Sequence, residues 1–229
     1  MNARAIHHQS LIKRESGEFL ESLKLNAEAL LKYQEENDTL GFSEVLADQT
    51  ITLRHLYSKT EDQNFLLLAK HLLEAAIEIA KRNNNQQATA IPFFNLGKVN
   101  KELKAYPEAI NAYREAISVQ QKSPSEQHSR PAVLADFKVH LAEVEYRNGD
   151  KSAKERLIQA LREIEESNED SYNKNVWTSG ANLYLVDLLK ETEPLEAKQY
   201  LENAKKIIDS DNRLVLRKDQ WEKLAKSIK

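Results

Sequence analysis

The sequence predicts an all-α fold, an α-solenoid of about five antiparallel helix pairs closed by a C-terminal helix. Three observations predict it. Glycine and proline are scarce, at five each in 229 residues, where average usage of about 7% would give roughly 16 glycines. Sheets need many turn residues, so this poverty favours helices joined by short connections. Apolar residues recur at helical spacing along nearly the whole chain. A small–large–small pattern returns at long, similar intervals, the mark of a repeat architecture.

The helices are predicted over residues 2–15, 18–36, 43–58, 63–82, 89–103, 107–122, 131–147, 151–167, 172–190, 194–209 and 213–227. Gly17, Gly41 and Gly149 fall in short breaks, where a left-handed residue ends a helix. The stretch from Leu66 to Ala80 is apolar over most of its surface, so neighbours must cover it. Thr89 is a candidate cap for the next helix, with Pro92 in its first turn. Pro107, Pro131 and Pro194 stand where helices begin, and there a missing N–H costs nothing. Ser152 and Glu155 have the spacing of a capping box. The polar runs from Asn83 to Gln87 and from Ser123 to Glu126 are too short to separate domains. Leu214, Trp221, Leu224, Ala225 and Ile228 form one stripe of the last helix, with Arg217, Lys218, Lys223 and Lys226 expected outside. Trp177 is expected near this lid. Gly180 marks close helix contact or a bend.

Composition limits function. Hydrophobic residues make up 41% and charged residues 30%, enough apolar content for a folded chain. The net charge is −3, so there is no general basic field for nucleic acid. Residues 161–196 carry nine acids and three bases, while 198–229 carry nine bases and five acids; helical spacing makes both solvated faces. No cysteine is present, which excludes disulfides and thiolate metal sites and permits the cytoplasm. Residues 1–16 lack the apolar run of a signal peptide, and no apolar stretch approaches membrane-spanning length.

The repeat lies in the second helix of each pair. Its trios are Ser22/Asn26/Ala29, Ala69/Leu73/Ala76, Ala109/Tyr113/Ala116, Ala153/Leu157/Ala160 and Ala197/Leu201/Ala204. The closing alanines, at 29, 76, 116, 160 and 204, lie 47, 40, 44 and 44 residues apart. Small side chains let two helices approach, and the larger residue fills the notch between them. Val45-Leu46-Ala47-Asp48 and Val133-Leu134-Ala135-Asp136 echo each other in first helices, 88 residues apart.

The segment from Phe93 to Ala116 resembles a tetratricopeptide repeat (TPR). Phe93, Leu96, Gly97, Ala109, Tyr113 and Ala116 match the family pattern in order and spacing. Asn100 departs where tyrosine is usual, the final proline is absent, and the period exceeds the usual 34. The other repeats match mainly in their second helices. The resemblance covers about residues 3–209 and divides the chain into repeats at 3–36, 43–82, 89–122, 131–167 and 172–209. The helix at 211–229 caps a single repeat domain spanning 1–229, as repeat stacks require.

This resemblance implies a concave groove lined by first helices, with a protein or peptide lying in it. By position the groove residues are Arg4, His7, His8, Leu11 and Arg14; Asp48, Thr52, His55 and Lys59; Phe94, Asn95, Lys98 and Lys101; Asp136, His140, Glu143 and Arg147; Asn182 and Leu185. Asn95 and Asn182 are the foremost candidates, since an amide suits an extended peptide backbone. Asn95, Lys98 and Lys101 resemble part of a carboxylate clamp, but Asp48 and Asp136 stand where its other cations belong. The mixed charge fits a polar or helical segment better than a strictly acidic tail. His8, His55 and His140 come from different repeats and do not converge on a metal; a pH-sensitive groove is an alternative use for them.

The expectation is a non-enzymatic adaptor or scaffold, cytoplasmic, without cofactor, nucleic acid or membrane, and monomeric or weakly dimeric. The alternative is a peptide-sensing regulator. Because repeats begin close to Met1, its effector would be a separate chain. No phosphate loop, zincin motif or nucleophile elbow supports an enzyme.

Overall fold

The computed structural model describes residues 2–122 and 130–228. Its α-helices are α1 (Ala3–Glu15), α2 (Phe19–Glu35), α3 (Thr39–Thr60), α4 (Asn64–Arg82), α5 (Ala90–Glu102), α6 (Tyr106–Gln121), α7 (Pro131–Arg147), α8 (Ala153–Glu165), α9 (Ser171–Leu189), α10 (Pro194–Ser210) and α11 (Val215–Ala225), with a 3₁₀ turn at Gln86–Thr89. No strand occurs among the described residues. The run at 123–126 lies outside them.

The helices form two compact units, Met1–Lys122 and Ser123–Lys229. In the first, α1/α2, α3/α4 and α5/α6 are antiparallel pairs; each second helix packs on the next first helix, and α1, α3 and α5 touch in sequence. In the second, α7/α8 and α9/α10 are pairs, with α8 on α9 and α11 against both α9 and α10.

The trios explain the pairing. Every one of their residues is buried except Leu201, which is half-buried. A close approach within a pair is at Gly97 of α5, where an added Cβ would lie 2.5 Å from the Tyr113 ring of α6. Buried small residues also stand on first helices, at Ser10, Gly97 and Ala142. Each lies seven residues before a left-handed turn residue, Gly17, Lys104 or Gly149. These three turns share one hydrogen-bond pattern: the left-handed N–H bonds three residues back, and the next N–H bonds five residues back. The turn therefore sets the register at which the partner helix meets its notch.

Several local expectations are corrected. Helix α3 starts four residues earlier than expected because Asp38 caps it, its carboxylate accepting from the Gly41 N–H at 2.9 Å. Gly41 is thus helical and not in a break, and it underlies Tyr33: an added Cβ would sit 2.2 Å from that ring. Thr89 is no cap; its hydroxyl donates to the Gln86 carbonyl, and Asn85 caps the 3₁₀ turn instead. Ser152 forms no capping box, since its hydroxyl donates to Asp150.

Helix α11 is a lid. Leu214 is buried, and Trp221 and Leu224 pack on Leu183, Ala204 and Ile208. The Trp221 indole N–H donates to the Leu201 carbonyl at 3.0 Å. Trp177 lies elsewhere, against the core formed by α7, α8 and α9. Gly180 lies under the lid. Arg217, expected outside, lies over α9 and donates to the Val176 carbonyl at 3.1 Å, and an added Cβ at Gly180 would lie 2.7 Å from its guanidinium.

Gly97→Ala is expected to lower stability by roughly 1–3 kcal/mol, because the Tyr113 ring is fixed in a closed core; the urea midpoint measures this, and an unchanged midpoint contradicts the notch. Leu214→Ala is expected to cost roughly 2–4 kcal/mol. Thermal unfolding checks it, and a wild-type melting temperature would mean that α11 is not a lid.

Candidate functional site

On α1, Arg4, His8 and Leu11 have the i, i+4, i+7 spacing of one helix face. Arg4 and His8 are exposed, and Leu11 is half-buried. The neighbouring stripe is used for packing: His7 is buried, with its Nε2 2.9 Å from Asp48 of α3. Arg14 approaches the same carboxylate at 4.0 Å. On α3, Asp48 and His55 remain half-buried and Lys59 is exposed. The His55 ring stacks on Phe19 with centroids 5.3 Å apart and planes 6° apart, and the Lys59 ammonium lies 4.6 Å from the Phe19 centroid. Burial pushes the His55 pKa down, and the charges of Arg54 and Arg14 add to the shift.

Not every predicted groove residue is presented. Thr52 is 0% exposed, and its hydroxyl pairs with Ser22 at 3.3 Å inside the α2–α3 packing. On α5, Phe94 is buried under the Lys98 ammonium, 4.0 Å from the ring centroid. Lys98 and Lys101 are half-buried. Asn95, a foremost candidate, is only 6% exposed. In the second unit Asn182 fails for a clearer reason. It is 2% exposed and its amide donates to the Thr178 carbonyl one turn back, at 2.9 Å. Leu185 is core. Asp136, His140 and Glu143 are buried as well. The His140 Nδ1 lies 3.5 Å from the Tyr184 hydroxyl. Arg147 stays accessible but is clamped between Glu143 of its own helix and Asp187 of α9. Burial opposes the Arg147 charge, yet the two carboxylates outweigh it and push its pKa up. His8, His55 and His140 lie on three separate helices.

The structure adds a feature absent from the sequence-based account. Consecutive first helices are tied by polar rungs. His7 meets Asp48 between α1 and α3; Arg54 holds Glu102 with two bonds from its Nε, at 3.0 and 3.1 Å, between α3 and α5. Arg147 meets Asp187 at 2.6 Å between α7 and α9, and Arg217 reaches the Val176 carbonyl from α11 to α9. The partners are 41, 48, 40 and 41 residues apart, about one repeat length. Each rung is partly exposed and contributes at most about 1 kcal/mol, but it pins the register of neighbouring first helices. The findable signal was a charge on one first helix answered by its opposite a repeat later.

No family model matches the chain, and no curated protein matches it. Solved structures do. BtubC (BKLC) from P. vanneervenii is 22% identical with a TM-score of 0.66, covering 90% of this chain and 80% of its own. TPR-like repeats of a putative kinesin light chain from Podosopora anserina are 15% identical with a TM-score of 0.63, covering 92% and 96%. A Rap protein complexed with Competence and Sporulation Factor is 14% identical with a TM-score of 0.69, covering 95% of this chain; the chain spans 54% of that one. These likenesses give the class: an all-α solenoid with the TPR-like helical-repeat fold. No helix among the described residues is long and apolar enough to cross a membrane.

The depressed His55 pKa has a signed consequence. The folded state resists protonating this ring, so its contribution to stability is complete above the unfolded value of about 6.5 and is lost as pH falls below it. The urea midpoint of the wild type should therefore drop more between about pH 7.5 and pH 5.5 than that of His55→Gln. Equal drops would mean that the ring titrates as if in water.

Proposed function

We propose that this chain is a non-enzymatic, cytoplasmic binding scaffold that holds a segment of another protein, or a peptide, against its first helices. The observation that carries the proposal is the accessible face of α1 and α3. Arg4, His8 and Leu11 stand beside Asp48, His55 and Lys59 on two adjacent parallel first helices, whose flanks are held by the His7–Asp48 rung. A surface organised before binding loses little freedom when a ligand docks. The His8 and His55 imidazoles and the Arg4 guanidinium can pair with peptide amide groups that would otherwise lose water. The half-buried Lys98 and Lys101 of α5 extend this face within the first unit, and in the second unit Arg147 is an accessible first-helix residue. The five pairs and the helix at 211–229 act in this proposal as one repeat domain. The expected partner is a polypeptide, not nucleic acid or a membrane, and the chain is a monomer or a weak homodimer.

The Rap likeness supports a binding role, since that protein was solved complexed with Competence and Sporulation Factor. The same likeness favours a second reading, a peptide-sensing regulator of a separate effector chain. In that case an added peptide displaces the captured protein; in the scaffold case nothing beyond the captured segment is needed.

The test is capture from cell extract on the immobilised protein, with mass spectrometry to identify the partner. His8→Ala combined with His55→Ala should weaken that partner by about 1–3 kcal/mol with circular dichroism unchanged. The outward-facing pair His71→Ala and Glu74→Ala on α4 should leave it intact. The opposite pattern would place binding on the second helices.

A further inference from the structure

The end of the α1–α3 face nearest Phe19 is more specific than a general groove. Across the first unit, α1, α3 and α5 carry seven bases and four acids, whereas α2, α4 and α6 carry six bases and seven acids. The first helices thus carry a net charge of +3 and the second helices −1, the difference lying chiefly in the acids. Three of their four acids are already engaged: Glu15 with Arg14 at 3.1 Å, Asp48 with His7 at 2.9 Å, and Glu102 with Arg54. The fourth, Glu44, is exposed and stands at the opposite end of α3 from Lys59. Lys59 forms no ion pair among the described residues; its ammonium rests beside the Phe19 ring, which carries the His55 imidazole in a parallel stack.

We propose that Lys59, His55 and Phe19 form an anion-selecting subsite that takes an acidic side chain, Asp or Glu, of the bound polypeptide segment. The proposal rests on reading the α1–α3 face as the binding surface and names the chemistry it selects. The Lys59 ammonium supplies the charge, and the neutral His55 ring supplies an N–H donor held in place by its stack on Phe19. Arg14 and Arg54 are occupied by carboxylates of the chain itself and act through their field. That field is visible at His55: after burial, the charges of Arg54 and Arg14 are the next largest influences on its proton, and both act in the direction of excess positive charge, with Glu15 opposing. A carboxylate entering this corner meets a positive potential and a free ammonium. A lysine side chain meets repulsion, and a glutamine gains only the neutral hydrogen bond.

The test uses three fluorescein-labelled peptides of equal length, alternating Glu-Ala, Gln-Ala and Lys-Ala, titrated with the intact protein and followed by fluorescence anisotropy. Glu-Ala should bind about fivefold or more tightly than Gln-Ala, with Lys-Ala weakest, as expected for one or two screened charge contacts. Lys59→Glu should erase the preference of Glu-Ala over Gln-Ala; Lys59→Arg should keep the preference. Arg82→Glu, on an exposed second-helix end, should change nothing. Equal binding of Glu-Ala and Gln-Ala, both lost in His8→Ala with His55→Ala, would overturn the acidic preference and leave the binding face standing. A Glu-Ala preference that survives Lys59→Glu but falls with Arg82→Glu would overturn both. Failure of all three peptides to bind would overturn the subsite, and the capture experiment would then decide the face independently.

Discussion

Close approach of the two helices within each pair is the constraint on which everything else depends. At Gly97 the partner's tyrosine ring occupies the space where any side chain would begin. The other pairs use alanine or serine on the second helix for the same purpose, and these residues are buried throughout. Once two helices are this close, their remaining apolar surface faces sideways and must be covered by the next pair. Where no further pair follows, α11 covers it with Leu214, Trp221 and Leu224.

Most of the architecture was legible because it is periodic. The small–large–small trios located the second helices, and the prolines located helix starts. What remained hidden was decided by single hydrogen bonds. Nothing in Asp38-Thr39-Leu40-Gly41 distinguishes a helical glycine from a turn glycine until the Asp38 carboxylate is seen on the Gly41 N–H and the Tyr33 ring above it. Thr89 and Ser152 had the right type and spacing for caps, but each hydroxyl found a nearer acceptor. The surroundings of Gly180 were unreadable locally, because the side chain over it is Arg217, 37 residues further on in the lid.

The site was less legible than the fold. A position-by-position transfer from the repeat pattern names residues on first helices without showing which of them are accessible. Thr52 and Asn182 share helices with accessible residues, yet each is turned inward, where a neighbouring hydroxyl or the carbonyl one turn back satisfies it. Mixed charge along the first helices suggested a surface without sign preference. The rungs alter that conclusion: Asp48, Glu102 and Asp187 are each tied to the preceding first helix, so they set register and do not display charge. At the Phe19 end the Lys59 ammonium, in no such rung, is what the proposed subsite rests on.

The central claim is that the first-helix face of α1 and α3, held in register by its rungs, is the surface that receives a polypeptide. Hydrogen exchange with mass spectrometry, on the intact protein with and without its captured partner, tests this most directly. The account predicts added protection in segments 3–15 and 39–60, with α2 and α4 unchanged beyond their ends. Protection confined to the second helices, with α1 and α3 exchanging as in the free protein, would contradict it.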